Sequence, residues 1–207
     1  MGDNLSKIMR HPWQYWYADG LPELAIGSIF LVVGLLFSGQ AAVPAGSPWK
    51  GLASLAFPIL LVGGMLLTRR LVAAAKSRLT YPRTGYVAYP HPSRLRRIVT
   101  LLLGAGVAGL AVVLLSGAKS DALDLIFQGL FVGLLMALVG QGLVRFYVVG
   151  AFAAILGIAL AAIAMPEEPG TGIFYGLLGV ALIISGGVTL VRYLRQNPLS
   201  EEESHGQ

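Results

Sequence analysis

Cysteine is absent from the 207-residue chain, which excludes a disulfide framework, a thiolate metal site and thiol chemistry. Charged residues are scarce at 12%, about half the usual share for a soluble domain, whereas 56% of the residues are hydrophobic. The sequence also lacks a Ser-His-Asp set, a phosphate-binding P-loop and a dinucleotide fingerprint. The composition therefore indicates an integral membrane protein, for which we expect no catalytic residue, no metal and no cofactor.

Acidic residues are missing from the stretch 69–97, which holds eight of the fifteen Lys and Arg residues. Apolar segments flank this basic loop on both sides. Because positively charged loops stay on the cytoplasmic side of a membrane, the loop fixes the orientation of every neighbouring helix. The net charge of +5 is explained in this way, and we expect no nucleic-acid partner.

Six apolar runs, each about 17–23 residues long, are sufficient to cross a hydrocarbon core of ~30 Å. The predicted fold is an all-α integral membrane protein with six transmembrane helices, arranged as three in-out-in hairpins with a small cytoplasmic loop element. Pro58 predicts a kink in the second helix, since proline removes a helical hydrogen bond. The predicted spans are 21–37, 49–68, 98–116, 122–144, 146–164 and 173–191.

The distribution of positive charge sets the predicted topology. Thirteen Lys and Arg residues fall in segments on the side of the basic loop, and only Lys50 and Lys119 fall on the other side. This bias predicts a multi-pass protein of the bacterial cytoplasmic (inner) membrane with both termini cytoplasmic. The segments are an interfacial segment 1–19, a first hairpin 20–68, the basic loop 69–97, hairpins 98–145 and 146–192, and a cytoplasmic tail 193–207.

An internal repeat supports the division into hairpins. Residues 127–146 align with residues 174–193 without a gap, and eight of twenty positions are identical, Arg145 and Arg192 among them. The copies share one orientation, which indicates a parallel repeat. Chance similarity between apolar segments rich in Gly and Leu is the alternative explanation.

Ionisable residues are absent from the predicted midplane of every helix, which argues against a proton- or sodium-coupled transporter. Gln128 and Gln141 are the deepest strongly polar side chains in the predicted spans. The glycines at positions 104, 106 and 109, and Gly129 with Gly133, indicate close helix packing. A pore or ligand site lined by glycine backbone is the alternative.

Asp19 and Glu23 are four residues apart at the start of the first span, and so share one helical face. We interpret them as helix-capping groups or as members of structural ion pairs with Arg145 or Arg69. The alternative adds His11 and His91 to form a two-histidine, one-carboxylate metal site, although no spacing requires it.

Four aromatic residues precede the first span: Trp13, Tyr15, Trp16 and Tyr17. Because Trp and Tyr collect at membrane–water interfaces, we predict a short interfacial helix over residues 5–18 that touches the basic loop.

The basic loop carries turn-forming and aromatic residues that topology does not require. Residues 82–85 read Pro-Arg-Thr-Gly, which suits a type I turn within a small hairpin. A shaped, basic, aromatic element predicts binding to anionic lipid headgroups or to an acidic partner segment. The alternative is a topology signal alone. Candidate lipid- or partner-binding residues are Arg83, Tyr86, Arg94, Trp13 and Trp16.

The stretches RHPWQYWYADGLPELAIG and RLTYPRTGYVAY resemble a family of uncharacterised bacterial multi-pass membrane proteins. These proteins carry an aromatic-rich N-terminus, an Asp-Gly at the first helix and a Tyr-Pro-Arg-Thr-Gly-Tyr cytoplasmic loop. The resemblance covers roughly the first half of the chain. It implies a polytopic membrane protein and brings no activity and no catalytic residue.

Three classes of function remain after these exclusions. The first is a non-enzymatic membrane subunit or scaffold that interacts with lipid, with a partner subunit or with a second copy of itself. The second is a small transporter or channel, which would require charge inside the membrane. The third is an enzyme acting on lipid headgroups, which would require clustered cytoplasmic carboxylates and histidines. Small-residue helix faces, which suit a subunit, are the feature most evident in the sequence.

Overall fold

The computed structural model describes residues 16–44, 46–84, 120–139 and 143–198, and every regular element in these ranges is helical. Five of the helices are long and apolar enough to cross a membrane, as expected of a membrane protein. In chain order the helices are α1 Leu21–Ala41, α2 Pro48–Leu79, α3 Tyr81–Thr84, α4 Asp121–Val139, α5 Val144–Ala162 and α6 Glu167–Gln196.

Local sequence explains where the first two helices begin. Gly20 precedes α1 with φ 74°, a left-handed conformation that glycine adopts without steric cost, and the Asp19 carboxylate accepts a hydrogen bond from the Leu21 amide at 3.3 Å. The Ser47 hydroxyl caps α2 by accepting from the Trp49 amide, and Pro48 follows in the first turn.

Helices α1 and α6 pack as an antiparallel pair, and glycines make the close approach possible. Gly20, Gly27 and Gly34 recur every seven residues before and within α1, and residues 172, 179 and 186 of α6 are glycines with the same spacing. A methyl group on Gly27 would lie 2.9 Å from the carbonyl oxygen of Gly179. The two backbones are therefore packed at a distance that only glycine permits.

Helices α4 and α5 pair in the same manner. A methyl group on Gly129 would lie 2.8 Å from the carbonyl oxygen of Ala153, and one on Gly133 would lie 2.6 Å from that of Gly150. This confirms the prediction that Gly129 and Gly133 permit close helix packing. The helix that they pack against belongs to the same chain. Residues 104, 106 and 109 lie outside the described residues.

The two helix pairs meet in a shared apolar core. Phe146 and Ala153 of α5 pack with Leu125 of α4 and with Phe174 and Leu178 of α6. Most apolar side chains of α2, by contrast, point away from the other described helices. This distribution is typical of helices that expose apolar side chains to lipid.

The predicted set of spans agrees with the structure in part. The third predicted span, 98–116, lies outside the described residues, so five helices long and apolar enough to span a membrane are described where six spans were predicted. Helix α2 continues through Pro58, and α6 is 30 residues long, well beyond the predicted span 173–191. Sequence hydropathy marks only the apolar part of each helix, whereas the helices extend past it into polar residues.

The predicted turn 82–85 is described only in part: its first three residues lie in the single helical turn α3, and residue 85 lies outside the described residues. The fourth predicted span, 122–144, was too long, since α4 ends at Val139. The first repeat copy, 127–146, is not one helix, because α4 ends at Val139 and α5 begins at Val144, whereas the second copy lies within α6. The aligned residues Arg145 and Arg192 therefore lie at a helix start and near a helix end, respectively.

Candidate functional site

The most polar interior region lies where α1 and α5 begin and where α2 and α6 end. We call this the basic end of the bundle. Four ionisable side chains meet here, and we call them the ion network: Asp19, Glu23, Lys76 and Arg145. They come from the segment before α1 and from α1, α2 and α5, so the network joins parts of the chain that are far apart in sequence.

The first half of the network is fully enclosed. The Lys76 ammonium lies 2.5 Å from Asp19 Oδ2, with side-chain exposures of 0% and 1%. Thr80, one helical turn further along, donates its hydroxyl proton to the same oxygen at 2.9 Å. The ring of Trp16 lies 5.0 Å from the Lys76 ammonium and adds a cation–π contact. The end of α2 is thereby fixed to the segment that precedes α1.

The second half joins α1 to α5 and α6. Arg145 Nε lies 2.6 Å from Glu23 Oε1, and Glu23 Oε2 accepts a hydrogen bond from the Ser185 hydroxyl at 2.8 Å. Arg145 also donates through Nη2 to the carbonyl oxygen of Tyr17. Both carboxylates that the sequence singled out are therefore engaged by side chains of other helices. Arg69, the alternative partner, forms no ion pair with either carboxylate.

Tyr17 differs from its predicted interfacial position. Its ring is buried and packs edge-to-face on Phe146, with ring centroids 5.1 Å apart. Burial raises the pKa of the Tyr17 hydroxyl, the Glu23 carboxylate raises it further, and Arg69 opposes the shift. The phenol therefore stays neutral throughout the physiological range. Tyr17 belongs to the core, whereas its neighbour Trp16 contacts the first part of the basic loop.

Arg83 has a structural role that the sequence did not predict. Its Nη1 donates to the carbonyl oxygen of Asn197 at 2.9 Å and to that of Leu194 at 3.5 Å. These carbonyls lie at the end of α6, where backbone acceptors have no partner within the helix and a cation is favoured. Arg83 therefore ties the basic loop to the last helix. Binding of Arg83 to lipid or to a partner stays a prediction.

Replacing Arg83 by methionine is expected to lower the free energy of unfolding by about 1 kcal/mol, since it removes the hydrogen bonds to the end of α6. Arg78 provides a matched control. It is exposed and forms no hydrogen bond or ion pair with another described residue, so Arg78→Met is expected to change stability little. Thermal unfolding of both variants in mild detergent tests the contact, and equal midpoints would contradict it.

The remaining predicted site residues are not described. Trp13, Tyr86 and Arg94 lie outside the described residues, as do His11 and His91 of the alternative metal site. Within the described part of the chain, no three His, Asp or Glu side chains are close enough together to hold a metal ion.

Sequence reasoning missed Lys76, Thr80 and Ser185. Lys76 is one of eight cations in the basic loop, and nothing local marks it as the buried one. A weak signal was available in the spacing of Lys76 and Thr80, which are four residues apart and so share a helical face. The seven-residue recurrence of glycine in α1 and α6 was a stronger signal for the pairing that brings Ser185 to Glu23.

The opposite end of the bundle carries a contrasting ion pair. Lys50 Nζ lies 2.7 Å from Glu168 Oε2, but the side chains are 27% and 45% exposed. This pair joins the start of α2 to the start of α6. Because the pair is accessible to solvent, its contribution to stability is expected to be small, about 0–1 kcal/mol.

Comparison with known proteins adds no function to this geometry. No family model matches the chain, and no curated protein or solved structure is significantly similar to it.

Proposed function

We propose that the protein is a non-enzymatic membrane scaffold that holds its basic loop, 69–97, in a fixed position at the cytoplasmic face of a bacterial inner membrane. The loop would meet anionic lipid headgroups or an acidic segment of a partner subunit. The observation that carries the proposal is the attachment of the loop's first part on two sides. Lys76 is held by Asp19, and Arg83 is held by the end of α6.

Two attachments of this kind favour a loop with a defined shape over a flexible loop. A loop that only sets topology requires positive charge and no fixed position. Here one cation is enclosed and another caps a helix, while Arg69, Arg70 and Arg78 remain exposed at the same end of the bundle. The exposed arginines are therefore carried on a rigid base, which suits recognition of phosphate or carboxylate groups.

The ion network also favours a small transporter as a second candidate, since ionisable groups inside membrane proteins often mark ion pathways. The geometry fits a scaffold better. Helix α2 spans about 48 Å by its rise, longer than a ~30 Å core, and Lys76 lies in its last turn. The network therefore belongs near the membrane surface, with each charge paired. Ion-coupled uptake that is lost in Asp19→Asn would favour transport instead.

Native mass spectrometry of the gently extracted protein tests the scaffold. We expect the parent to retain an anionic phospholipid or a partner subunit. Joint replacement of Arg69, Arg70 and Arg78 by glutamine is expected to reduce that retention. Unchanged retention would remove these exposed arginines from the proposed binding role. Lys50→Gln, at the opposite end, is the control.

Membrane topology provides an independent test. A reporter fused after Gly85 is expected inside the cell, and reporters fused after Gly117 or Glu168 are expected outside, because thirteen of fifteen basic residues fall on the loop side of the predicted topology. A cytoplasmic signal from the Glu168 fusion would overturn the assignment of both termini to the cytoplasm.

A further inference from the structure

A groove of about 470 Å³ opens at the basic end, between the segment before α1, the start of α5 and the last turns of α6. Its volume lies within the usual range of small-ligand sites, about 300–1,000 Å³. The groove is separate from the enclosed Asp19–Lys76 pair, and neither α2 nor α3 contributes to its wall.

The wall supplied by α6 changes character along the helix. Ile184, Val188, Arg192 and Gln196 recur every four residues and so share one face, with Tyr193 beside them. The distance from Ile184 to Gln196 is about 18 Å by the helical rise. The half toward the middle of the bundle is lined by the apolar side chains of Ile184 and Val188 together with Ser185 and Thr189, whose hydroxyls already donate hydrogen bonds within the protein. The half at the end is cationic and polar. This gradient matches a phospholipid, whose acyl chain leads to a charged headgroup.

Two arginines supply the charge. Arg145 enters from the start of α5, where Glu23 already neutralises part of its charge. Arg192 is exposed and forms no hydrogen bond or ion pair with another described residue. No carboxylate in the described part of the chain neutralises its guanidinium, and guanidinium groups bind phosphate oxygens through two parallel hydrogen bonds.

We propose that this groove binds one anionic phospholipid, with its phosphate on Arg192 and its acyl chain along Val188 and Ile184. This inference rests on the proposed function, which places the basic end at the cytoplasmic face of the membrane. It names one lipid site that is separate from the exposed arginines of the basic loop. The apolar side chains of the groove distinguish a lipid from free phosphate, because free phosphate has no acyl chain to pack against Val188.

The test compares two arginines of α6. Arg192 lines the groove, whereas Arg195, three residues further on, is exposed and does not. The protein is reconstituted in nanodiscs of phosphatidylglycerol and phosphatidylcholine, extracted gently and weighed by native mass spectrometry. We expect the parent to retain phosphatidylglycerol preferentially. Arg192→Gln is expected to lower that retention about tenfold, and Arg195→Gln to change it little.

A second variant keeps the test decisive. Val188→Trp fills the apolar half of the groove without changing charge, and it is expected to reduce phosphatidylglycerol retention as well. Excess inorganic phosphate is expected not to displace the lipid; displacement by phosphate alone would overturn a lipid site. Equal retention by Arg192→Gln and the parent would also overturn it. If retention depends on Arg69, Arg70 and Arg78 while Arg192→Gln binds normally, the groove proposal fails and the scaffold proposal stands.

Discussion

Replacing Lys76 by methionine is expected to lower the free energy of unfolding by about 3–5 kcal/mol, the usual cost of breaking a buried ion pair from one side. The substitution removes the only cation within 4 Å of Asp19 among the described residues. Within the described part of the chain, the enclosed Asp19 carboxylate would then keep hydrogen bonds from Thr80 and from the Leu21 amide but have no cation beside it. Unfolding in mixed micelles of mild detergent and dodecyl sulfate measures the effect.

Two controls separate an unpaired charge from simple loss of a side chain. The double variant Asp19→Asn/Lys76→Met is expected to recover most of the lost stability, since the asparagine oxygen still accepts from Thr80 and no charge remains. Lys50→Met, which breaks the exposed pair with Glu168, is expected to cost about 0–1 kcal/mol. If Lys76→Met costs no more than Lys50→Met, the enclosed pair does not stabilise the fold as described.

The ion network links the fold to the proposed function, because it fixes the end of the bundle that carries the exposed arginines. Asp19 neutralises the enclosed Lys76, which would otherwise be a buried unpaired charge, and Glu23 neutralises the partly exposed Arg145. The remaining arginines stay on the surface. Acidic residues before and within α1 thus allow the basic end to be closely packed inside and strongly positive outside.

Sequence patterns located the described spanning helices because apolar length is a local property. The start of α1 at Leu21 was predicted from residues that lie within a few positions of that boundary. The two ends of α6 were not predicted, since Glu167 and Arg195 are polar residues that lie within the helix. Hydropathy cannot mark a helix beyond the apolar run that it measures.

In the ion network, it was harder to predict which side chains pair with each other than to predict that Asp19, Glu23 and Arg145 take part. The spacing of Asp19 and Glu23 indicated a shared face, and Arg145 was named as one of two candidate partners for them. Lys76 could not be distinguished from other cations of the loop, because its burial depends on how α2 packs against the segment before α1. Only the tertiary arrangement contains that information.

Gly129 and Gly133 were correctly interpreted as helix-packing sites. The sequence suggested small-residue faces that could dock a partner subunit. In the structure Gly129 and Gly133 contact α5, while Gly27 and Gly34 contact α6. These four glycines pack within the chain, so the scaffold proposal rests on the basic end. Docking of a partner subunit on other small-residue faces stays a prediction.

Two glycines of α6 provide the final prediction, because they lie three residues apart and differ in their surroundings. A methyl group on Gly179 would lie 2.6 Å from the Leu31 amide nitrogen of α1, whereas one on Gly176 would meet nothing within 4 Å. Gly179→Ala is therefore expected to destabilise the protein by about 1–3 kcal/mol, the usual cost of overpacking. Gly176→Ala is expected to stabilise it by up to about 1 kcal/mol, through helix propensity alone.

The same unfolding measurement in mixed micelles decides between these opposite signs. Both substitutions add one methyl group to the same helix, so effects on insertion and on hydrophobicity are matched. A general preference of α6 for alanine would stabilise both variants, and a general intolerance would destabilise both. Opposite signs are expected only if α1 and α6 are in backbone contact at Gly179. Equal shifts would mean that the antiparallel glycine pairing, which brings Ser185 to Glu23, is not present in the folded protein.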